Sequence, residues 1–293
     1  MKRRNLGDRC FVLCNTLLLL LLCFVTAYPM YYVVCASFSN NTQLIATPGV
    51  LLYPKGFGVG AYANAFKHPL IASGYRNILF ILAVSLPLNL VMTWLCAYFM
   101  ASKNVPLKRP ILFLITFTMF FGGGLIPGFL NIRSLGLYNS LWALIIPGAM
   151  SVYNAIICRT AMSTIPESLY ESAYLDGAND WIVLVRIVVP LIIPTSAVLL
   201  LYYGVGHWNS WFPASIYLKE NAKLPIQNIL RSILIQNADI LSNSASAGTD
   251  EFQRYSESIK YAAVVITTLP AMCIYPFLQK YFVKGVMIGA VKG

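Results

Sequence analysis

Acidic side chains are scarce in this sequence: Asp and Glu together number 10 in 293 residues, against 21 Lys and Arg. Histidine occurs only as His68 and His207, and there is no H-E-x-x-H run. No lysine is followed by Ser or Thr, which a phosphate-cradling P-loop requires. No two cysteines stand as C-x-x-C. A zinc site, a nucleophile–His–acid triad and ATP hydrolysis through a P-loop therefore lack material in this chain. Paired carboxylates occur in one short segment only, so a polytopic membrane enzyme is a weak reading. No basic run exceeds three residues, which argues against nucleic acid; the net charge of +11 suits anionic lipid headgroups instead. No ionisable residue stands clearly at mid-span and no internal repeat is visible. An ion-coupled secondary transporter would need one or the other.

What is present is apolar length. The hydrophobic fraction is 58% and the charged fraction 11%, against roughly 45–50% and 25% in soluble domains. A membrane span takes roughly 20 apolar residues. Six stretches qualify, about 11–36, 76–100, 110–131, 139–161, 188–212 and 259–282. The expected fold is an all-α, polytopic membrane protein of six helices. Residues 1–10 form an N-terminal segment, and one transmembrane domain occupies 11–293. The basic start and leucine run resemble a signal peptide, but the apolar run is too long and lacks a small-x-small cleavage site, so an uncleaved first helix is expected. Lys2, Arg3, Arg4 and Arg9, then Lys103, Lys108 and Arg109, then Lys280, Lys284 and Lys292 fall on one side of six spans. That side is expected to be the cytoplasm. Outer segments then cover 37–75, folded by its turn formers and aromatics, and 213–257, with a short amphipathic helix in "LPIQNILRSILIQNADIL". The seven cysteines all lie in or beside apolar stretches, and each is expected to be a small buried packer.

Helix breakers interrupt three spans: Pro87; Gly122, Gly123, Gly124, Pro127 and Gly128; and Pro190, Pro194, Gly204 and Gly206. Backbone groups freed in lipid must be satisfied by protein or cavity water, which suggests a protein-lined path. Small residues that admit close helix packing are the equal alternative.

Four of the ten acids sit within residues 167–190, "ESLYESAYLDGANDWIVLVRIVVP": Glu167, Glu171, Asp176 and Asp180. The spacing predicts a helix entered through Pro166 and stopped at Gly177 in the left-handed conformation. A second helix follows, capped by Asn179 or Asp180 and running to Pro190. Glu167 and Glu171 share a face four residues apart, mildly unfavourable in isolation, and the helix is too short to stand alone. That face requires a basic partner, and only Arg159 and Arg186 lie nearby in sequence. A solvated helix on the membrane surface is the plain alternative. Surface helices, however, favour Lys and Arg toward headgroups, so a protein partner is the better reading of this acidic one.

"ESAYLDGANDWIVLVRIVVP" resembles the E-A-A…D-G-A…P cytoplasmic loop of bacterial ABC importer permeases. Glu171, Ala173, Asp176, Gly177, Ala178 and Pro190 match, with Ser172 in place of the middle Ala. "FFGGGLIPGFLNIRSLGLYNSLWALIIPGAMSVYNAIICRT" is similar to spans three and four of carbohydrate permeases related to the maltose system's second permease subunit. "YGVGHWNSWFPASIYL", "LPIQNILRSIL" and "QKYFVKGVMIGAVKG" are similar to the branch handling complex oligosaccharides and polysaccharide fragments. The resemblance implies a half-transporter in a bacterial cytoplasmic membrane, paired with a homologous permease, two copies of an ABC ATPase and an extracellular or periplasmic solute-binding protein. It implies that 162–187 is the coupling loop, with Glu167, Glu171, Ala173, Asp176, Gly177 and Ala178 engaging the ATPase. Glu171 would meet a basic residue there, and the tail 283–293, with Lys284, Gly289 and Lys292, would reach the ATPase dimer. This chain then binds no cofactor; ATP and Mg belong to the partner. A permease of the same type for another solute, such as an amino acid or phosphate, is the standing alternative.

For the cargo path, "GVGHWNSW" places His207, Trp208, Asn209 and Trp211 near the outer end of the fifth span. Aromatic faces with amides suit sugar rings; an interfacial aromatic belt would look the same. Asn89, Tyr153 and Asn154 are polar groups at span depth, either lining a cavity or bonding neighbouring helices. Nine basic residues against five acids on the outer side permit an acidic oligosaccharide such as a uronate polymer, and exclude no neutral sugar.

Overall fold

A computed structural model describes residues 6–46, 49–67, 69–103, 105–243 and 259–273. Among these, every regular element is helical. In chain order they are α1 Leu6–Ser37, α2 Asn41–Ala46, α3 Gly60–Lys67, α4 Pro69–Ala101, α5 Lys108–Phe120, α6 Leu125–Ser134, α7 Trp142–Ile145, α8 Val152–Met162 and α9 Glu167–Leu175. There follow α10 Asp180–Leu191, α11 Ile193–Asn209, α12 Phe212–Tyr217, α13 Ile226–Asn243 and α14 Ile259–Cys273. The expected tail contacts Lys284, Gly289 and Lys292 lie outside the described residues, as do His68 and the end of the sixth apolar stretch.

Two of the expected spans are continuous helices, α1 and α4. Each is long enough by itself: α4, with 33 residues, extends roughly 50 Å at 1.5 Å per residue. Pro87 lies inside α4 without ending it. Leu17 to Leu22 on α1 are all exposed, an arrangement that hydrocarbon tolerates and water does not. The third and fifth stretches are bent pairs. α5 and α6 meet at 113°, and α10 and α11 at 83°. The first bend falls on Phe121–Gly124, where Gly124 has φ 86. A Cβ placed on Gly122 or Gly123 would meet nothing within 4 Å, so within this chain these glycines break a helix and do not admit a close neighbour. The second bend follows a π-helical stretch, Val183–Val188. Pro190 has no N–H to offer the ladder and its ring crowds the preceding turn, which widens it.

The fourth stretch departs from the expected single helix. One turn, α7, is followed by irregular backbone at 146–151 before α8 begins. Pro147 and Gly148 explain the break: neither favours a helix interior. Cysteine usage is also narrower than expected. Cys35 and Cys158 are buried and Cys96 is half-buried, while Cys10, Cys14, Cys23 and Cys273 are exposed. Three of those exposed thiols lie along the bare apolar surface of α1.

The chain divides into two compact units. One comprises the described residues up to Pro69 with those between Leu230 and Thr268. Its described residues 38–46 and 49–58 are folded, as the turn formers there predict: Asn40 N–H reaches Lys55 O at 2.7 Å, Gly58 N–H reaches Phe38 O at 2.9 Å, and Leu51 N–H reaches Tyr28 Oη at 2.9 Å. The other unit comprises Leu70–Ile229 with the described residues after Thr268. Its core is Ala97 of α4, Cys158 and Met162 of α8, Ala173 of α9, Val183, Leu184 and Val188 of α10, and Leu199 of α11. All the sites below belong to this second unit.

Candidate functional site

The acidic segment forms the expected helix–turn–helix. Pro166 precedes α9, and the helix ends in a Schellman turn. Ala178 N–H bonds Ala173 O at 2.9 Å, and Gly177 N–H bonds Tyr174 O at 3.0 Å, with Gly177 at φ 80. That turn brings two small residues together: Ala173 is buried in the core and Ala178 packs against it. The A…D-G-A spacing therefore has a physical cause, since Ala173 and Ala178 are the two positions a Schellman turn places in contact. Asn179, not Asp180, caps α10, its Oδ1 accepting from Ile182 N–H at 2.9 Å.

Asp180 does something else. Its Oδ1 accepts from Tyr174 Oη at 2.6 Å and from Tyr98 Oη at 3.1 Å. The bond to this carboxylate raises the Tyr174 phenol above its ordinary pKa. One acid thus ties α9, α10 and the end of α4 together. Glu167 is paired with Lys103, Nζ to Oε2 2.5 Å, across two exposed side chains. The basic residues near in sequence, Arg159 and Arg186, are not its partner. Lys103 is remote in sequence and is delivered by the end of α4, which sequence proximity could not reveal. Glu171 and Asp176 are exposed, and neither side chain makes an ion pair or hydrogen bond among the described residues. Beside them Leu175 is 89% exposed. α9 and its C-terminal cap thus present two unpaired carboxylates beside one bare leucine.

At mid-height of α4 lies a second constellation. Asn89 is 0% exposed; its Nδ2 donates to Gly148 O at 2.6 Å, and its Oδ1 stands 3.0 Å from His207 Nε2. Ser151 N–H donates to Tyr203 Oη at 2.9 Å, and Tyr203 Oη shares a 2.7 Å bond with Thr93 Oγ1. Backbone groups released by the break at Pro147–Gly148 are thereby satisfied by α4 and α11, as lipid requires. Of the candidate path residues, the structure joins Asn89 and His207 in this network and buries Trp208 near Tyr75, ring centroids 6.4 Å apart. Asn154 is also buried, while Tyr153, Asn209 and Trp211 are exposed. Asn89→Leu keeps the branched outline of the side chain, with larger methyl groups, but strands the Gly148 carbonyl. Thermal unfolding of the purified chain in detergent is expected to show a loss of about 1–2 kcal/mol.

A third constellation was not singled out by sequence. A cavity of about 680 Å³ opens at the start of α4, lined among others by Arg76, Asn77, Phe80, Trp142, Glu220 and Lys223. Asn139 organises its wall from a left-handed backbone, φ 58. Its Oδ1 accepts from Lys219 and Glu220 N–H at 3.1 and 3.2 Å, its Nδ2 donates to Glu220 Oε1 at 2.7 Å, and its carbonyl accepts from Lys223 Nζ at 2.9 Å. Asn77 fixes the same segment to α4, donating to Ala222 O at 2.8 Å and Leu224 O at 3.2 Å. Lys223 first, then Asn139, hold the Glu220 carboxyl below its ordinary pKa. The Glu220–Lys223 pair therefore persists through neutral and mildly acid pH and is lost only as pH falls through that depressed value. The one signal in the sequence was "LYNSL", a turn with an Asn suited to the left-handed region. Arg76 and Tyr98 are 22 residues apart on α4, roughly 33 Å along its axis. The cavity and the acidic helix thus stand at opposite ends of a membrane-spanning element. Among the described residues no cluster of His, Cys, Asp or Glu is arranged to hold a metal.

Residues 56–288 match the family model described as "Binding-protein-dependent transport system inner membrane component". The polygalacturonan/rhamnogalacturonan transport system permease protein YtcP of Bacillus subtilis (strain 168) is 36% identical over 275 residues, 94% of this chain and 96% of that protein. Protein LplC of the same organism is 38% identical over 290 residues, 98% of this chain and 96% of that one. A chain in the crystal structure of a bacterial ABC transporter involved in the import of the acidic polysaccharide alginate superposes with a TM-score of 0.86 at 28% identity, covering 96% of this chain and 100% of that one.

Proposed function

This chain belongs to the binding-protein-dependent transport system inner membrane components, and from that premise we propose that it is one half of the translocation path of an ATP-driven importer of oligosaccharides or polysaccharide fragments. It pairs with a homologous permease in a bacterial cytoplasmic membrane, spans that membrane six times and receives cargo from a solute-binding protein outside. Its termini and the Lys103 end of α4 face the cytoplasm, where two copies of an ABC ATPase bind ATP and Mg and drive the cycle. The lysines and arginines of 103–109 support that orientation.

The observation that carries this reading is the surface of α9. Ala173 and Ala178 lock the helix and its turn into the core of the spans, and Tyr98 and Tyr174 fasten Asp180. A push on α9 is therefore transmitted to α4, α8 and α10 as to one body. Its outward side holds Glu171, Leu175 and Asp176 unpaired. An apolar knob flanked by two carboxylates fits a basic-rimmed cleft on a partner protein better than an anionic headgroup surface. The cargo class is supported by YtcP, named for polygalacturonan and rhamnogalacturonan, and by the solved transporter involved in alginate import.

Glu171→Ala is expected to abolish cargo-stimulated ATPase in the reconstituted complex or to reduce ATPase co-purification. Glu167→Ala, whose carboxylate is occupied by Lys103, is expected to cost little, since exposed ion pairs contribute about 0–1 kcal/mol. Unchanged stimulation and uptake in Glu171→Ala would refute its role. Failure of a tagged chain to co-isolate any ATPase or second permease would refute the wider reading.

A further inference from the structure

The cavity at the Arg76 end of α4 has a charge that its own residues leave unanswered. Glu220 and Lys223 neutralise each other at 3.0 Å. Arg76 is exposed at the rim and makes no hydrogen bond or ion pair among the described residues. The lining therefore carries one net positive charge, held on a planar group with five donors. Beside it Phe80 and Trp142 stand edge to face, centroids 6.4 Å apart and planes at 86°, both rings partly exposed. The volume, about 680 Å³, falls within the ~300–1,000 Å³ of small-ligand sites. The walls are pre-set, because Asn139 and Asn77 bind the 217–224 segment through its backbone.

We propose that this cavity is a subsite for a carboxylate-bearing sugar unit, with Arg76 gripping the carboxylate through its guanidinium fork and Trp142 and Phe80 receiving the C–H face of the ring. Two features favour a sugar acid over a neutral sugar or a small inorganic anion. A neutral ring uses the aromatic pair and leaves the guanidinium without a counter-charge. An inorganic anion uses the guanidinium and leaves the aromatic pair idle. A uronate engages both at once, and Arg–carboxylate pairs are bidentate and charge-assisted. The cavity lies at the end of α4 opposite the acidic helix, the end at which cargo enters under the function proposed above. The inference rests on that reading and names the chemical class of its cargo.

The test uses the full-length chain assembled with its partner subunits in nanodiscs. The probes are an oligogalacturonate, its fully methyl-esterified form with the same skeleton and no charge, and inorganic phosphate, each titrated at low salt. The acid is expected to bind, and esterification to weaken binding ten-fold or more. Arg76→Gln is expected to weaken the acid about ten-fold while leaving the ester unchanged, and Arg76→Lys to restore part of the loss. Trp142→Ala is expected to weaken acid and ester alike. Because Arg76 is exposed and unpaired, Arg76→Gln is expected to melt at the wild-type temperature, so a binding loss does not reduce to misfolding. Equal binding of acid and ester would overturn the proposal. So would an Arg76→Gln variant with wild-type affinity, competition by phosphate at the same concentration as the uronate, or a variant that loses binding-protein docking and keeps glycan affinity. Uptake in cells separates the two levels of failure. Normal glycan import with Arg76→Gln overturns this subsite alone, whereas no ATP-driven import of any glycan by the wild type overturns the function it rests on.

Discussion

Gly177→Val is expected to lower cargo-stimulated ATP hydrolysis in the assembled importer about 5–30-fold while leaving the basal rate of the ATPase intact. Gly177 sits at φ 80. A residue with a Cβ loses about 1–2 kcal/mol in that region, and a branched one more, because its second γ carbon meets the preceding carbonyl. A Cβ there would meet no neighbour within 4 Å, so the penalty is purely conformational and repacking cannot relieve it. The two Schellman bonds, Ala178 N–H to Ala173 O and Gly177 N–H to Tyr174 O, exist only with this residue left-handed. Without them Ala178 leaves Ala173, and α9 is no longer one body with α10. A loss of 1–2 kcal/mol alters the population of the locked turn by about 5–30-fold, which is the size of effect expected on stimulated turnover. Gly177→Asn separates conformation from side-chain volume, since Asn tolerates the left-handed region, and should keep most of the coupling. If Gly177→Val hydrolyses ATP and imports cargo like the wild type, α9 is not the element through which force passes.

Gly74→Leu is expected to have the largest effect on the fold of the second unit. A Cβ on Gly74 would lie 3.1 Å from Ile226 Cα and 3.3 Å from Ile226 N, and would overlap Ile229 Cδ1. Ile229 can rotate away; the Ile226 backbone cannot. α4 and the start of α13 would have to separate, and overpacking of this kind costs about 1–3 kcal/mol. Ile226 and Ile229 are both buried, so separation also exposes them. Asn77 lies one turn further along α4, and its bonds to Ala222 O and Leu224 O would be pulled apart with the wall of the cavity. Thermal unfolding of the detergent-purified chain should show a clear drop in Tm, together with loss of oligogalacturonate affinity if the cavity is its subsite. Gly206→Ala is the control: nothing lies within 4 Å of its added Cβ, and alanine is the better helix former, so its Tm should hold or rise. Equal melting of Gly74→Leu and wild type would show that α4 and α13 do not depend on this contact.

The acidic segment was legible in the sequence because its information is local. A proline, an alanine pair five apart and a glycine prescribe helix, Schellman turn and helix within a dozen residues, whatever surrounds them. The apolar stretches were legible for the same reason, since membrane burial follows composition. Breaks within those stretches were signalled by Gly122–Gly124 and Pro190, but the sequence did not rank them. Pro87 leaves α4 whole, whereas Pro147 with Gly148 interrupts the fourth stretch. The difference lies in the partners: Asn89 and Tyr203 meet the backbone opened near Gly148, with Thr93 holding the Tyr203 hydroxyl, and those contacts join residues more than fifty positions apart.

Sequence alone therefore determined an all-helical membrane chain without a P-loop of its own and with one acidic helix–turn–helix, because hydrophobic length, turn chemistry and the P-loop motif are properties of contiguous residues. Tertiary structure alone decided which charges are free. Glu167 is answered by Lys103 and Glu220 by Lys223, while Glu171 and Arg76 are answered by nothing among the described residues. Whether a charge is satisfied within the chain or left for a partner depends on which distant helices meet beside it. That is a matter of packing, and it leaves no periodic trace in the order of the residues.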